Sequence, residues 1–288
     1  MPELPEVECI ARGLGAIGTG MIVTRAEFLR RDLREPIPIA EFQRIVVGQA
    51  LSRVWRRSKF ILWETQLGYG IFHLGMTGNI LKSASPLPEH KHTHAIFTLQ
   101  GPGRTSHLHF VDPRRFGWIT CAKLGELEEH RLFCRLGPEP LESPNLGQHL
   151  FTVSRGCSIA IKALIMDAHR VVGVGNIYAS EALFRARIHP STPAGQLKRV
   201  DYDTLAQAIQ DTLNQAIAEG GTTFRDFRHT DGKPGYFERL LLVYGRNDEP
   251  CRKCRTSIQQ MRHGGRSSYF CPSCQKLKIA RLLKRSRA

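Results

Sequence analysis

The sequence predicts an α+β multidomain protein: an N-terminal antiparallel β-sandwich with flanking helices, then a helical domain, then a metal-held β-hairpin. Three observations carry that reading. Short β-forming runs recur at regular intervals between Met21 and Thr120. Helical periodicity replaces them after a Pro/Gly-rich stretch. Four cysteines paired at metal-ligand spacing then close the chain. At 288 residues each of two ordinary domains can bury its own core.

From Pro5 the apolar residues Val7, Ile10/Ala11, Leu14 and Ile17 repeat at helical spacing, with Pro5 in the tolerated first turn among acids. The β runs are Arg53 to Glu64, Gly70 to Leu74, Asn79 to Lys82, His94 to Leu99, His107 to Val111 and Gly117 to Cys121. Residues Arg131 to Gly147, containing Leu136-Gly137-Pro138-Glu139-Pro140, read as a hinge. Beyond it, helices are expected over Ser158–His169, Asn176–Arg187 and Asp203–Glu219. The last has Leu205, Ile209, Leu213 and Ala216/Ile217 on one face and stops at Gly220-Gly221. The expected division is therefore a sandwich over 1–130, a hinge over 131–150, a helical domain over 151–240, and a cysteine finger with a basic extension over 241–288.

The spacing C-x2-C-x16-C-x2-C, from Cys251 and Cys254 to Cys271 and Cys274, fits one zinc ion better than a redox dithiol. All four places are thiolates, so no coordination position stays open for chemistry and the zinc is structural. Between the knuckles, Thr256 to Arg262 and Ser267 to Phe270 make a hairpin around Gly264-Gly265. Arg266 stands beside that turn, placed to enter a DNA groove or grip a phosphate. Cys9, Cys121, Cys134 and Cys157 are scattered singly among apolar neighbours, as reduced core residues are. That usage points to a cytosolic protein.

Lys and Arg number 41 against 26 Asp and Glu, a formal +15, which favours a polyanionic partner, nucleic acid before anionic membrane. From Cys251 to Ala288 there are eleven basic residues and no acid; Lys276 to Ala288 read as a solvated tail. No apolar run approaches a membrane span of about 20 residues. Glu3, Glu6 and Glu8 stand where a signal peptide would be basic and apolar.

The start, Met1-Pro2-Glu3-Leu4-Pro5-Glu6-Val7-Glu8, suggests chemistry of its own. Removal of Met1 leaves a proline secondary amine, and an α-amino group titrates at roughly 7.7–8.0, so much of it is nucleophilic at neutral pH. A Met-Pro start also serves simply as a helix-opening proline. Farther on, Val171-Val172-Gly173-Val174-Gly175-Asn176 joins two expected helices, with Asn176 as a good cap. It is either a phosphate-binding helix start or an ordinary loop.

Several motifs together carry a resemblance. They are Pro2 to Glu8, His73-Leu74-Gly75-Met76-Thr77-Gly78, Asp112-Pro113-Arg114-Arg115-Phe116-Gly117, Gly173 to Glu181, Asp231 to Phe237, Val243-Tyr244-Gly245-Arg246 and the cysteine hairpin. In this order and over essentially the whole chain, they resemble bacterial formamidopyrimidine-DNA glycosylases, also called 8-oxoguanine DNA glycosylases. The resemblance implies a helix-two-turn-helix domain and a base excision repair enzyme acting as a monomer on double-stranded DNA with oxidised purines. It implies that Pro2 attacks the sugar C1′ and expels the base, leaving an iminium. Glu3 then manages protons at the sugar, and β- and δ-elimination cut the strand. Glu6 orients the amine or serves only as a first-turn acid. Lys59 works near the phosphates and in elimination, and Arg266 assists the δ step. Met76, Arg114 and Phe116 fill the gap left by the extruded nucleotide; His92, Lys162 and Asn176 contact phosphates. A loop within Gly220 to Tyr244 closes over the base.

The chain departs from the family in places. Ser58 replaces a usual glycine, Thr93 a usual aspartate, and Cys157 and Ser158 stand for usual basic residues. The nearest alternative is an endonuclease VIII-like glycosylase for oxidised pyrimidines; from another class, a non-catalytic zinc-ribbon DNA-binding protein.

Overall fold

The computed structural model describes residues 2–222, 230–231 and 235–277. The parts of Gly220 to Tyr244 at 223–229 and 232–234, and the basic extension beyond 277, lie outside the described residues. The chain forms two compact units, Met1–Leu136 with Asn214–Leu240, and Gly137–Leu213 with Leu241–Ala288. Residues 214–240, grouped with the helical domain on sequence, therefore pack with the first unit.

In the first unit, helix α1 (Leu4–Gly18) turns Val7, Ile10, Ala11 and Leu14 inward, at the expected spacing. Strands β1 (Ile22–Phe28), β5 (Asn79–Ser83), β6 (Thr93–Gly101) and β7 (Arg104–Val111) form one antiparallel sheet, ordered β1-β6-β7-β5. Strands β2 (Arg53–Arg57), β3 (Phe60–Glu64), β4 (Gly68–His73) and β8 (Trp118–Lys123) form the other, ordered β2-β3-β4-β8. Between them lie Trp63, Phe72 and Phe97, with Trp63 and Phe97 edge-to-face at 5.0 Å.

Sequence and structure differ here in instructive ways. The run Arg53 to Glu64 is two strands, because the chain reverses at Ser58-Lys59 and pairs Arg57 with Phe60. Helix α2 (Ile39–Val46) is hidden among the β runs, although Phe42, Ile45 and Val46 are its buried stripe. Cys121 is a core residue as expected, but Cys134 is exposed.

In the second unit, α3 (Leu146–Ser154) begins inside the expected hinge and buries Leu146 and Leu150, one turn apart. Helix α4 (Ile161–Ile165) is shorter than the expected Ser158–His169, because Ala160 is extended and bridges to Pro193. Helix α5 (Asn176–Arg185) and helix α6 (Arg199–Ala218) match their patterns. Leu205, Ile209, Leu213 and Ala216 are buried on α6, and Gly220 and Gly221 end it with φ of 75° and 80°. Strands β9 (Gln259–His263) and β10 (Arg266–Phe270) make the hairpin, with Gly264 and Gly265 at φ of 52° and 78° as a mirror-image turn requires. Among the described residues no helix is long and apolar enough to cross a membrane.

Candidate active site and nucleic-acid interface

Pro2 is buried and leads straight into Glu3, the N-cap of α1. The Glu6 carboxylate accepts the Glu3 N–H at 2.8 Å, and the Glu3 carboxylate accepts the Glu6 N–H in return. The other Glu6 oxygen accepts the Thr222 N–H at 2.8 Å. Both carboxylates are almost wholly buried. Glu6 is thus more than a first-turn acid, since it ties the residue after Pro2 to the chain leaving α6. One turn on, Glu8 accepts from Arg56 Nε at 2.9 Å and locks α1 against β2. Burial raises the Glu8 pKa, but Arg12 and Arg56 outweigh it and hold the group below its usual value.

Arg56 also donates to the Ser58 carbonyl at 3.0 Å, shaping the turn that presents Lys59. Ser58 sits at φ 56°, the left-handed region, which explains why glycine suits this position. On the neighbouring strand the His73 ring packs at a tilt against Phe60, 4.8 Å between centroids, and accepts the Gly75 N–H at 3.0 Å through Nδ1. Burial, then the charges of Lys59 and Arg34, lower its pKa to about 4, so it is neutral beside Lys59.

Met76 lies on the β4–β5 connection, Arg114 and Phe116 on the β7–β8 connection. Each connection crosses from one sheet to the other, and the two crossings touch. Gly75, at φ 60°, packs so closely that a Cβ there would collide with the Phe116 carbonyl. Asp112, fully buried, joins them: Oδ1 accepts from the Thr77 hydroxyl at 2.6 Å and the Arg114 N–H at 3.2 Å, while Oδ2 accepts the Gly117 N–H at 2.8 Å. Above this buried anion Met76 is 39% and Phe116 41% exposed, and the Arg114 guanidinium lies 4.9 Å from the Phe116 ring. Large apolar side chains held outward on stiff turns suit insertion between bases. Sequence reasoning missed Asp112 as a site residue; its signal was an aspartate before proline, which reads as turn chemistry alone.

His92 lies just before β6, where its carbonyl accepts the Asp112 N–H at 3.0 Å. Thr93 beside it is buried with a hydroxyl that has no partner.

Lys162, Asn176 and Arg266 belong to the second unit. Asn176 is the first residue of α5, and Gly175 the cap, contrary to the expectation that Asn176 caps. Its side chain is instead used by Lys162, whose ammonium donates to Asn176 Oδ1 at 2.7 Å, the Ser267 carbonyl at 3.0 Å and Ser268 Oγ at 2.9 Å. Lys162 is 1% exposed. Asn176 is half-buried and its Nδ2 donates to the Tyr244 hydroxyl at 3.4 Å, while Arg266 is exposed. A cavity of about 240 Å³ lies between α4 and the hairpin tip, lined by Lys162, Asp167, His263 and Arg266. Glu181, buried on α5, accepts the N–H groups of Leu242, Val243 and Tyr244, each at 2.9 Å, and so holds the chain entering the finger.

The four sulfurs of Cys251, Cys254, Cys271 and Cys274 lie within 4.8 Å of one another. Two pairs are 3.4 and 3.5 Å apart, close to the edge of a tetrahedron with bonds of about 2.3 Å. Thr256 hydrogen bonds lower the Cys254 thiol to about 6, whereas burial and neighbouring sulfurs raise Cys274 to about 12. Sulfurs so crowded need a divalent cation to be thiolates together. Cys251 and Cys271 pack on Phe184, Val243 and Ile258, so the metal-bound knuckles share one core with α5.

A β-sandwich with Pro2 set just before a helix cap, followed by a helical unit and a four-cysteine hairpin, defines the class of zinc-finger DNA glycosylases. Family models match in that order: the formamidopyrimidine-DNA glycosylase N-terminal domain over residues 1–119, its H2TH domain over 136–228, and a zinc finger found in FPG and IleRS over 248–277. The chain is 46% identical over 285 residues to the formamidopyrimidine-DNA glycosylase of Alkalilimnicola ehrlichii, covering 96% of this chain and 100% of that protein. It superimposes on a mutant Lactococcus lactis FPG solved with Fapy-dG DNA (TM-score 0.86, 28% identity, 96% and 100% covered). It also matches a MutM solved with DNA containing carbocyclic 8-oxo-G (TM-score 0.85, 29% identity, 96% and 100% covered). The chain belongs to the formamidopyrimidine-DNA glycosylase family.

Proposed function

We propose that this chain is a bifunctional DNA glycosylase and AP lyase that removes oxidised purines from duplex DNA, with Pro2 as its nucleophile. The observation that carries the reading is the fixed start of α1: once Met1 is removed, the amine of Pro2 is attached to a residue whose backbone and side chain are both tied into a capping box. An amine so held attacks C1′ without first losing the freedom of a chain end. The nitrogen's lone pair forms the new C–N bond as the bond from C1′ to the base breaks, its electrons leaving with the base; the nitrogen loses its proton, and the C1′–O4′ bond then breaks as O4′ takes a proton, which leaves the iminium. The iminium then acidifies the C2′ hydrogen, and loss of that proton expels the 3′ phosphate; δ-elimination releases the 5′ side.

Glu3, buried beside Pro2, moves protons at the sugar ring. Glu6 is a positioning residue for Glu3. Lys59 neutralises phosphate during elimination, and Met76, Arg114 and Phe116 hold the duplex open where the damaged nucleotide has left. Arg266, His92 and the outward N–H groups of Asn176 grip the backbone. The zinc ion supplies no chemistry, because Cys251, Cys254, Cys271 and Cys274 fill its coordination; they hold the hairpin in shape.

Relatives solved with Fapy-dG and 8-oxo-G DNA support purine lesions, and since a Lactococcus lactis FPG was also solved with DNA containing an oxidised pyrimidine, the preference over the pyrimidine alternative rests on the match to curated formamidopyrimidine-DNA glycosylases. A bacterial cytoplasmic location, on the nucleoid, is supported by thiols with no disulfide among the described residues and by burial that pushes Cys9 and Cys121 to about 12, where they are inert. Excision measured on duplexes with 8-oxoguanine opposite cytosine and with thymine glycol tests the assignment. Faster excision of 8-oxoguanine is expected; a preference for thymine glycol would overturn it.

A further inference from the structure

His263 was not among the residues singled out by the sequence, and the chemistry proposed above does not use it. It is the last residue of β9, paired with Arg266 across the Gly264-Gly265 turn. Its Nδ1 lies 2.8 Å from Ser268 Oγ and its Nε2 lies 2.9 Å from Ser191 Oγ. Ser268 is completely buried.

The direction of every bond in this chain is dictated by chemistry. Lys162 has only protons to give, so Ser268 Oγ and Asn176 Oδ1 must accept from it. The Ser268 hydroxyl proton then has one acceptor in reach, His263 Nδ1, and a buried hydroxyl proton left without an acceptor is costly. His263 is therefore neutral with its proton on Nε2, which donates to Ser191 Oγ; the Ser191 hydroxyl completes the run on Met261 sulfur at 3.2 Å. Burial first, and the Lys162 charge second, lower the His263 pKa, consistent with that state. At the far end, Asn176 is left with its amide N–H groups turned away from Lys162. One of them reaches the Tyr244 hydroxyl at 3.4 Å.

We propose that His263 is a positioning residue for DNA binding: its neutral ring pins the hairpin tip that carries Arg266, and through Ser268 and Lys162 it fixes Asn176 with donors facing the phosphate. The inference rests on the DNA-glycosylase reading and deepens it.

The test is binding to a duplex carrying a tetrahydrofuran abasic analogue, which no glycosylase step consumes, together with single-turnover excision at saturating enzyme. The whole zinc-loaded chain is used, with zinc content measured for every variant. His263→Leu is expected to raise Kd roughly tenfold while zinc content and the saturated rate stay as in the unaltered chain. His263→Asn, whose Oδ1 falls where Nδ1 was, should recover most of that affinity. Adding His263→Leu to Arg266→Ala should cost less than the two separate losses combined, because both changes act on one grip. If His263→Leu loses zinc, Ser191→Ala, which alters no residue of the finger, should still weaken binding several-fold. Unchanged Kd in His263→Leu and Ser191→Ala, no recovery with Asn, or full additivity with Arg266→Ala would each overturn the proposal. If the unaltered chain fails to bind the analogue duplex, the DNA-glycosylase reading itself fails, a result distinct from any of these.

Discussion

The two compact units hold their functional side chains by opposite means. In the β-sandwich, apolar side chains (Met76, Phe116) stand in solvent on turns clamped from beneath by a buried anion, Asp112. In the helical unit, a buried lysine, Lys162, is satisfied by three uncharged acceptors, Asn176 Oδ1, the Ser267 carbonyl and Ser268 Oγ. A wedge must resist being pushed aside by stacked bases, so its support is made of several short bonds to rigid backbone. A phosphate grip needs polarity more than stiffness, so its support is a chain of side chains that can carry only one direction of hydrogen bonding.

That contrast is broken first at Asp112. Asp112→Ala strands the Thr77 hydroxyl proton and the Gly117 N–H, and leaves the Arg114 N–H only its 3.2 Å bond to Thr77 Oγ1. Urea unfolding should show a loss of about 4 kcal/mol, and 8-oxoguanine excision should fall with it. A stable variant with normal excision would mean that the wedge turns hold themselves.

His73, which starts the Met76 turn, makes the sandwich unit sensitive to acid. Its folded pKa of about 4 lies below the ordinary 6.5, so between those values the unfolded chain binds more protons. Stability from this residue is complete above pH 6.5 and is lost as pH falls toward 4, by at most about 3 kcal/mol. His73→Asn keeps an acceptor for the Gly75 N–H and should flatten the fall of Tm between those pH values; an equally steep fall would assign the acid sensitivity elsewhere.

Lys162→Met sharpens the comparison. Asn176 and Ser268 can rotate to new partners and only the Ser267 carbonyl is fixed, so the expected stability loss is about 2 kcal/mol, smaller than at Asp112. DNA affinity should fall as well, because Asn176 no longer has a required orientation. A loss as large as that of Asp112→Ala would make the two supports alike. Smallest is Ser58→Gly, which relieves a left-handed φ and should raise the unfolding free energy by about 1 kcal/mol without changing excision; destabilisation would show that the Ser58 side chain contributes more than its backbone strain removes.

Much of the sandwich was legible because most of its β-forming runs are bounded by turn residues, and the proposed nucleophile, the zinc ligands and both proposed wedge motifs stand in local sequence. What was not legible depends on pairing at a distance. Nothing in Leu74 to Gly78 or Asp112 to Gly117 says that both segments cross between sheets at one place. Only there does Asp112 become a clamp. Lys162 reads as a charged residue on an apolar helix face, and its burial follows from Ser267 and Ser268, more than a hundred residues away. Helix α2 escaped notice because eight residues are too few for periodicity to stand out among strands, and α3 because the prolines just before it suggested a loop.

The amine that opens α1 is the claim on which the rest depends, and peptide mass spectrometry of the borohydride-reduced complex with an 8-oxoguanine duplex examines it directly. The account predicts a deoxyribose remnant on Pro2 as the first residue of the chain. Active protein that still carries Met1, or a remnant on Lys59 instead, would contradict it.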